Sequence, residues 1–271
     1  MGNDRFGAFL KETMASNNID TSGLVFSKSV NTTLAFVHLD ANGDRSFSFY
    51  RKPGADMTLT SKELDLDLID NAKIFHFGSV SMSDEPSRSA TIKAASHAKG
   101  KGITVSYDPN LRIPLWDDLD EAHKFILKGM EYATLLKISE EELVFITGES
   151  NLEKGSLMLY EKYGISLILI TLGRKGSFCR LGKHSQHSYT YDINAIDTTG
   201  AGDAFLGGIL YKLLERNCKI SELTPEDTTS FMDFANASGS LTTLKKGAIP
   251  ALPNLDEIKR CINSVPKLIN K

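Results

Sequence analysis

The segment Asp197-Thr198-Thr199-Gly200-Ala201-Gly202-Asp203-Ala204-Phe205 decides how this chain is interpreted. After it, apolar residues recur at helical spacing over residues 205–214, so a buried helix is predicted to begin near Gly202. A glycine-rich turn at a helix start directs backbone N–H groups outward and carries partial positive charge. Asp203 is then either an ordinary carboxylate favoured by the helix dipole or a general base beside an anion site. The combination indicates phosphoryl transfer to a hydroxyl group.

The composition excludes several classes of protein. The formal net charge of −3 gives no support for binding nucleic acid through its phosphates. No apolar run approaches membrane-spanning length, and the N-terminal residues lack a signal-peptide pattern. The three cysteines are widely spaced and lack metal-ligand spacing, so they are typical of reduced thiols. We therefore expect a cytoplasmic protein that binds neither nucleic acid nor a membrane.

Strand-like apolar runs alternate with helical patterns from residue 74 onward. This alternation predicts an α/β fold in which a mostly parallel sheet carries helices on both faces. The stretch from 177 to 196 instead indicates consecutive strands, 177–181 and 189–196, and so an antiparallel edge. Because no repeat or flexible linker interrupts the chain, we expect a single domain over residues 1–271.

Residues 24–52 predict a β-hairpin. Two alternating runs flank Asn42-Gly43, which is the strongest short-range hairpin signal. Phe36 and Phe49 are expected on the faces of this two-stranded ribbon. A lone hairpin is marginally stable in water, so it must pack on the sheet, a ligand or a partner chain. The ribbon is therefore a candidate lid, a candidate homodimer interface, or both.

Two segments predict contacts with a ligand at one edge of the sheet. Thr171 and the turn from Gly173 to Gly176 follow an apolar strand, where α/β sheets bind ligands. An ordinary hairpin turn explains the same residues equally well. Asn236 lies within an apolar helical pattern and needs a hydrogen-bond partner, in the core or on a ligand.

Two further segments combine local structure with possible chemistry. Ser139 and Glu142 have the spacing of a capping box at the start of a helix, and Lys137 just before them is a possible phosphate contact. Asn110 and Arg112 follow another strand, in a stretch with the chemistry of a turn. Arg112 is also able to recognise an anionic or hydroxylated ligand with two hydrogen bonds.

Taken together, the chain resembles the ribokinase/phosphofructokinase-B carbohydrate kinase family. The segment from Asp197 to Phe205 resembles the family's signature, and other segments resemble its fructokinase branch: His76-Phe-Gly-Ser79, Ser106-Tyr-Asp-Pro-Asn-Leu-Arg112, Leu115-Trp116 and Lys245-Lys-Gly-Ala-Ile-Pro-Ala-Leu-Pro253. The resemblance implies a ribokinase-like three-layer α/β/α fold with a β-ribbon lid. It also implies ATP as phosphoryl donor and the 6-hydroxyl of a sugar, fructose in this branch, as acceptor.

The resemblance further implies roles for the residues already singled out. Asp203 would be the base, with Gly200, Ala201 and Gly202 as the anion hole. The residues that contact ATP would be Thr171, Gly173, Gly176, Asn236, Ser139 and Lys137. The sugar would contact Asp203, Arg112, Asn110, Phe36 and Phe49.

Two ions are implied in the same way. Glu142 would act through water on Mg²⁺ and phosphate, although this chain has Ser139 where many family members have Asn. Asp197, Thr199 and Gly247 match the family's loop for a monovalent cation, and oxygen ligands of this kind suit K⁺. A plain loop-packing role explains these three residues as well.

The family also opens with a strand and a Gly-Gly segment that hold the sugar. Neither pattern occurs here, and residues 3–7 resemble the helix that follows them. We therefore expect an N-terminally incomplete fold with impaired sugar turnover. Two classes of function stay open. The first is an ATP-dependent sugar kinase, either a fructokinase or another sugar kinase such as 2-keto-3-deoxygluconate kinase or ribokinase. The second is a non-catalytic nucleotide-binding remnant.

Overall fold

The computed structural model describes residues 1–39 and 45–269. The chain divides into two compact units, the first made of Met1–Ile103 and Pro109–Tyr132 and the second of Thr104–Asp108 and Ala133–Lys271. Within the described residues, no helix has the length and apolar character needed to cross a bilayer.

The first unit contains a two-stranded ribbon, a further strand and a set of helices. Side-chain caps begin three of its helices, since Asp4 accepts a hydrogen bond from the N–H of Gly7, Asp65 from that of Asp67 and Asp118 from that of Asp120. Its elements are α1 Arg5–Ser16, β1 Leu34–Leu39, β2 Arg45–Tyr50, α2 Leu66–Asp70, β3 Ile74–Gly78, α3 Ser87–Gly100 and α4 Leu119–Met130.

Strands β1 and β2 pair antiparallel, as the sequence predicts, while the Asn42-Gly43 turn lies outside the described residues. Phe36 is opposite Ser48 in the ladder, and Phe49 is opposite Ala35. Residues paired across a ladder share a face and neighbours along a strand alternate, so Phe36 and Phe49 lie on opposite faces. A ligand held against one face of the ribbon therefore contacts one of these two rings.

The second unit is built on a sheet with the strand order β4-β5-β6-β7-β8. Its elements are β4 Thr104–Asp108, β5 Leu135–Ser139, α5 Glu140–Thr147, α6 Leu152–Tyr163, β6 Leu167–Thr171, β7 Ser177–Leu181, β8 His184–Ser188, α7 Ala201–Arg216, α8 Pro225–Thr242 and α9 Leu255–Ser264. Pairing is parallel from β4 to β6 and antiparallel from β6 to β8. Strand β6 is almost completely buried, as expected for a sheet covered on both sides.

Neighbouring side chains of β8 contact different helices. Ser185 Oγ donates to the Glu153 carboxylate on α6, whereas Gln186 Nε2 donates to Thr228 Oγ1 on α8 at 2.8 Å. Since successive strand residues point to opposite faces, α6 and α8 cover the two sides of the sheet. The predicted α/β class with three layers and a small ribbon is confirmed.

The predicted antiparallel edge is confirmed, but one of its strands is misplaced. The second strand is His184–Ser188, not residues 189–196. Hydrophobic patterning does not reveal β8 because all of its side chains are polar. Residues 190–192 instead pair with a later segment, since Leu268 N–H donates to Thr190 O at 2.8 Å and Asp192 N–H to Pro266 O at 2.9 Å.

Candidate functional site

Helix α7 begins at Ala201, close to its predicted start. Gly200 precedes it with φ of +79°, in the left-handed region that favours glycine. Because this cap position is a glycine, no side chain there caps the N–H groups of the first turn. Ala201 N–H donates to Thr198 O at 3.3 Å. Asp203 is exposed in this first turn. The positive end of a sixteen-residue helix thus lies directly beside an accessible carboxylate.

A cavity of about 290 Å³ adjoins this helix start. It brings together most of the residues predicted to contact a nucleotide and two of the predicted anion-hole residues: Thr171, Gly173, Gly176, Asn236, Ala201 and Gly202. Arg174, Thr198 and Ser240 also line it. The predicted ATP contacts Ser139 and Lys137 are not among its lining residues. The cavity reaches the first turn of α7 through Gly202, the residue before Asp203.

The loop after β6 needs its glycines. Gly173 and Gly176 have φ of +56° and +96°. A Cβ on Gly176 would lie 2.1 Å from Ser188 O, whereas one on Gly173 would meet no atom within 4 Å. The loop is closed by a hydrogen bond from Leu172 N–H to Gly176 O at 2.9 Å. One wall of the cavity is therefore a fixed turn packed against the end of β8.

Asn236 combines the two roles considered for it. Its side chain is buried, and Nδ2 donates to Ser188 Oγ at 3.2 Å, which joins α8 to the end of β8. The same residue lines the cavity. Gly239 lies one turn further along α8, where a Cβ would be 3.0 Å from Ala201 O, so the two helices approach closely beside the cavity.

Lys137 and Asp108 form a buried ion pair at the same helix start. Lys137 Nζ lies 2.9 Å from Asp108 Oδ2, and the two side chains are only 8% and 4% exposed. Nζ is also 3.0 Å from the position that a Cβ on Gly202 would occupy. The ammonium group therefore lies against the glycine turn. Sequence reasoning proposed Lys137 but took Asp108 for part of a turn.

The electrostatics place more carboxylates near this pair. Burial raises the pKa of Asp108 to about 6, against the opposing effect of the Lys137 charge. The negative charges of Glu142 and Asp203 raise the Asp108 pKa further. Two acidic side chains and one ammonium group thus act on the ionisation of Asp108.

The predicted capping box at the start of α5 is present. Ser139 N–H donates to Glu142 Oε2 at 2.8 Å, and Glu142 N–H donates to Ser139 Oγ at 3.1 Å. In the described part of the chain, no group of three or more acidic, His or Cys side chains could hold a metal ion alone. Mg²⁺ usually binds through one or two carboxylates, waters and substrate phosphates, so the Glu142 carboxylate fits that ion without a protein cage.

The three residues predicted to form a cation loop lie together. Asp197 Oδ1 accepts from Thr199 N–H at 2.7 Å, and Oδ2 accepts from Gly247 N–H at 3.0 Å. Gly247 has φ of +93°, which favours glycine. The Asp197 carboxylate therefore connects two segments that are fifty residues apart in the sequence.

Asn110 and Arg112 belong to the first unit. Ser79 Oγ donates to Pro109 O at 2.6 Å, so two of the segments quoted above are joined there. Asn110 has φ of +49°, and Arg112 is exposed with Nη1 donating to Leu111 O at 3.2 Å. Of the predicted lid residues, Phe36 is 49% exposed and stacks edge-to-face on Tyr50 at 5.4 Å. Phe49 is half-buried.

Comparison with known proteins agrees with this arrangement. Residues 1–255 match the family described as pfkB family carbohydrate kinase. A protein named probable fructokinase-2 from Arabidopsis thaliana is 44% identical over 255 residues, which is 93% of this chain and 76% of that protein.

Solved structures of fructokinases are also similar to this chain. The fructokinase from Vibrio cholerae O395, bound to fructose, ADP and calcium ion, is 34% identical with a TM-score of 0.86 over 97% of this chain and 83% of that one. Its double mutant, bound to fructose, ADP and potassium ion, matches to the same extent. Fructokinase with bound ATP from Xylella fastidiosa is 31% identical, with a TM-score of 0.90 and coverage of 97% and 83%.

Proposed function

Because the chain belongs to the pfkB family of carbohydrate kinases, we propose that it transfers the γ-phosphoryl group of ATP to the 6-hydroxyl of fructose. The observation that carries this proposal is the start of α7. Its glycine turn, the Lys137 ammonium group and the exposed Asp203 lie beside a cavity lined by the predicted nucleotide contacts. The match across residues 1–255 covers both units, which supports treating residues 1–271 as one kinase domain.

In the proposed reaction Asp203 is the general base. Its carboxylate accepts the proton of the fructose hydroxyl as that oxygen attacks the γ-phosphorus of ATP, and ADP leaves. Negative charge on the transferred group is stabilised by the N–H groups of Gly200, Ala201 and Gly202 and by the helix dipole. Exposure of Asp203 lets a hydroxyl reach it. Arg112 and Asn110 are proposed to contact the sugar, with Phe36 or Phe49 covering it.

Nucleotide contacts are proposed for Thr171, Gly173, Gly176 and Asn236 in the cavity. Lys137 and Ser139 are proposed on the phosphate side, beyond that cavity. Mg²⁺, held by Glu142 through water, would neutralise charge on the phosphates when bound. K⁺ is proposed in the loop of Asp197, Thr199 and Gly247, and the potassium ion bound by the Vibrio cholerae double mutant supports it.

We also propose a homodimer formed through the ribbon of β1 and β2. Phe36 and Tyr50 share one face of it and are 49% and 69% exposed. Such a pair of exposed rings is typical of an interface or of a lid. The cysteines at 179, 218 and 261 are free thiols, which supports the proposed cytoplasmic location. Sedimentation of the intact chain at several concentrations, with a Phe36→Asp variant as the comparison, tests the dimer.

The test of function is sugar-dependent release of ADP by the purified chain. Fructose, ribose and 2-keto-3-deoxygluconate are compared in the presence of MgATP, and the phosphorylated product is identified by ³¹P NMR. We expect turnover with fructose and formation of fructose 6-phosphate. If no sugar gives turnover above that of an Asp203→Asn variant, the kinase proposal is wrong. Nucleotide binding without turnover would then support the nucleotide-binding remnant.

A further inference from the structure

The Asp108–Lys137 pair has features that stability does not explain. Asp108 Oδ2 accepts from Lys137 Nζ, but its Oδ1 is buried without a hydrogen-bond partner among the described residues. A buried acceptor left unsatisfied costs free energy, and a buried ion pair often stabilises a fold less than apolar residues would. Side chains that are retained at such a cost are candidates for function.

The surroundings of the pair indicate which function. Of the two charged groups in the pair, the ammonium group lies beside the start of α7. Lys137 Nζ is 3.0 Å from the position that a Cβ on Gly202 would occupy. The Asp108 carboxylate lies 2.9 Å from the Lys137 ammonium group and so fixes its position. The Coulombic effects of Asp203 and Glu142 on Asp108 place both within electrostatic range of the pair.

We propose that Asp108 is a positioning residue that holds the Lys137 ammonium group against Gly202, where it contacts the terminal phosphate of ATP. The proposal rests on the proposed kinase function. Asp108 acts through Lys137 and touches neither substrate. The ammonium group adds a positive charge to the N–H groups of the helix start.

Removing either charged group, or both, should change the affinity for ATP in a way that identifies the role of Asp108. Removing only the ammonium group would take away its attraction for the phosphates. Removing only the carboxylate would leave an ammonium group that is no longer held in place. Because Asp108 acts only through Lys137, removing both should cost no more than removing the lysine, so the double variant should bind ATP as tightly as the lysine variant alone. Two independent contacts would instead give a loss in the double variant equal to the product of the two single losses.

The experiment measures dissociation constants by calorimetry, without sugar, for a non-hydrolysable ATP analogue and for ADP. We expect Lys137→Met to weaken binding of the analogue at least about tenfold more than that of ADP. Asp108→Asn should act in the same direction by a smaller factor. The double variant Asp108→Asn/Lys137→Met should bind the analogue as tightly as Lys137→Met. If the double loss equals the product of the single losses, the proposal is overturned.

Two controls separate this role from general destabilisation. Glu153→Gln removes a carboxylate from another buried cation, Arg180, at 2.8 Å, and neither of these residues lines the cavity. It should leave the ratio of analogue to ADP affinity unchanged, and an equal effect of Asp108→Asn and Glu153→Gln would contradict the proposal. Lys137→Arg keeps a cation that Asp108 can hold, so it should retain more of that ratio than Lys137→Met.

These outcomes are distinguishable from failure of the kinase proposal. A chain that phosphorylates no sugar but shows the predicted pattern in its nucleotide affinities would refute the kinase activity and retain the role of Asp108. If Asp108→Asn alone does not fold, the double variant, which buries neither charge, is compared with Lys137→Met. A double variant that binds the analogue more weakly than Lys137→Met then overturns the proposal.

Discussion

Asp203 is the residue on which the proposed chemistry depends most directly. It is exposed, lies in the first turn of α7 and influences the ionisation of buried Asp108. The segment that contains it is also the part of the site that the sequence predicts best. The turn before α7 is marked in the sequence by its glycines. Gly200 adopts a left-handed conformation that favours glycine, so the residue type itself indicates the turn.

Asp203→Asn is expected to lower kcat for fructose phosphorylation by at least about 10³, because asparagine cannot accept the hydroxyl proton. The affinity for ADP should change little. Steady-state kinetics and calorimetry on the same preparation check both parts. Glu215→Gln, at the other end of α7, serves as the matched control and should keep its activity. A loss of only a few-fold in Asp203→Asn would remove Asp203 from the role of base.

Asp108 should make stability depend on pH. Its folded-state pKa of about 6 lies above the ordinary value of 3.8, so the folded protein binds this proton more tightly than the unfolded chain. The free energy of unfolding should therefore fall as pH rises from about 4 to about 6, by up to about 3 kcal/mol from this group. Urea unfolding at several pH values, with Asp108→Asn as reference, isolates the effect. Parallel curves for the two proteins would contradict it.

Asp108 also illustrates where prediction from the sequence ends. In the sequence it precedes Pro109 and Asn110, a combination typical of turns. Its contact with Lys137, twenty-nine residues later, exists because β4 and β5 pair in parallel. The ion pair between Asp108 and Lys137 could be predicted from the sequence only if β4 and β5 were already known to be neighbours.

At the scale of elements, glycines decide the loop between β6 and β7. Gly176→Ala is expected to destabilise the fold by more than 2 kcal/mol, estimated as roughly 1–3 kcal/mol for backbone strain plus the clash with Ser188 O. Gly173→Ala meets open space and should cost about 1 kcal/mol. Chemical unfolding of both variants checks the difference. Equal losses would mean that the loop moves away from β8 without cost.

The predicted elements succeed and fail for physical reasons. The capping box at Ser139 is recognised because its two hydrogen bonds are local in sequence. Strand β8 is missed because it has polar side chains on both faces, and its contacts with α6 and α8 are hydrogen bonds. The opposite faces of Phe36 and Phe49 follow from the ladder register, which depends on the turn between the strands.

At the scale of the whole molecule, the alternation of strands and helices is enough to predict the fold class, because each element must bury one side. The division of the chain into two units is not visible in this way. The chain passes from one unit to the other at three points, and one of them lies between Asp108 and Pro109, within a single short segment. No change of composition marks that point in the sequence.

Binding of nucleotide should stabilise the intact chain even where chemistry is absent. At an ADP concentration one hundred times its dissociation constant, linkage predicts about 2.7 kcal/mol of added stability. Thermal unfolding with MgADP should show this rise for both the wild-type chain and Asp203→Asn. Gly176→Ala should show a smaller rise, because Gly176 lines the cavity. A wild-type chain with no rise would refute nucleotide binding.

Residues 190–192 and 266–268 form hydrogen bonds with each other, and Thr190, Tyr191 and Leu268 all line the cavity. During synthesis on the ribosome, Leu268 is made long after the glycine loop and the start of α7. The cavity therefore gains this wall only when the whole second unit has been synthesised. A nascent chain that has not yet reached Leu268 therefore lacks part of the wall against which a ligand in the cavity would bind.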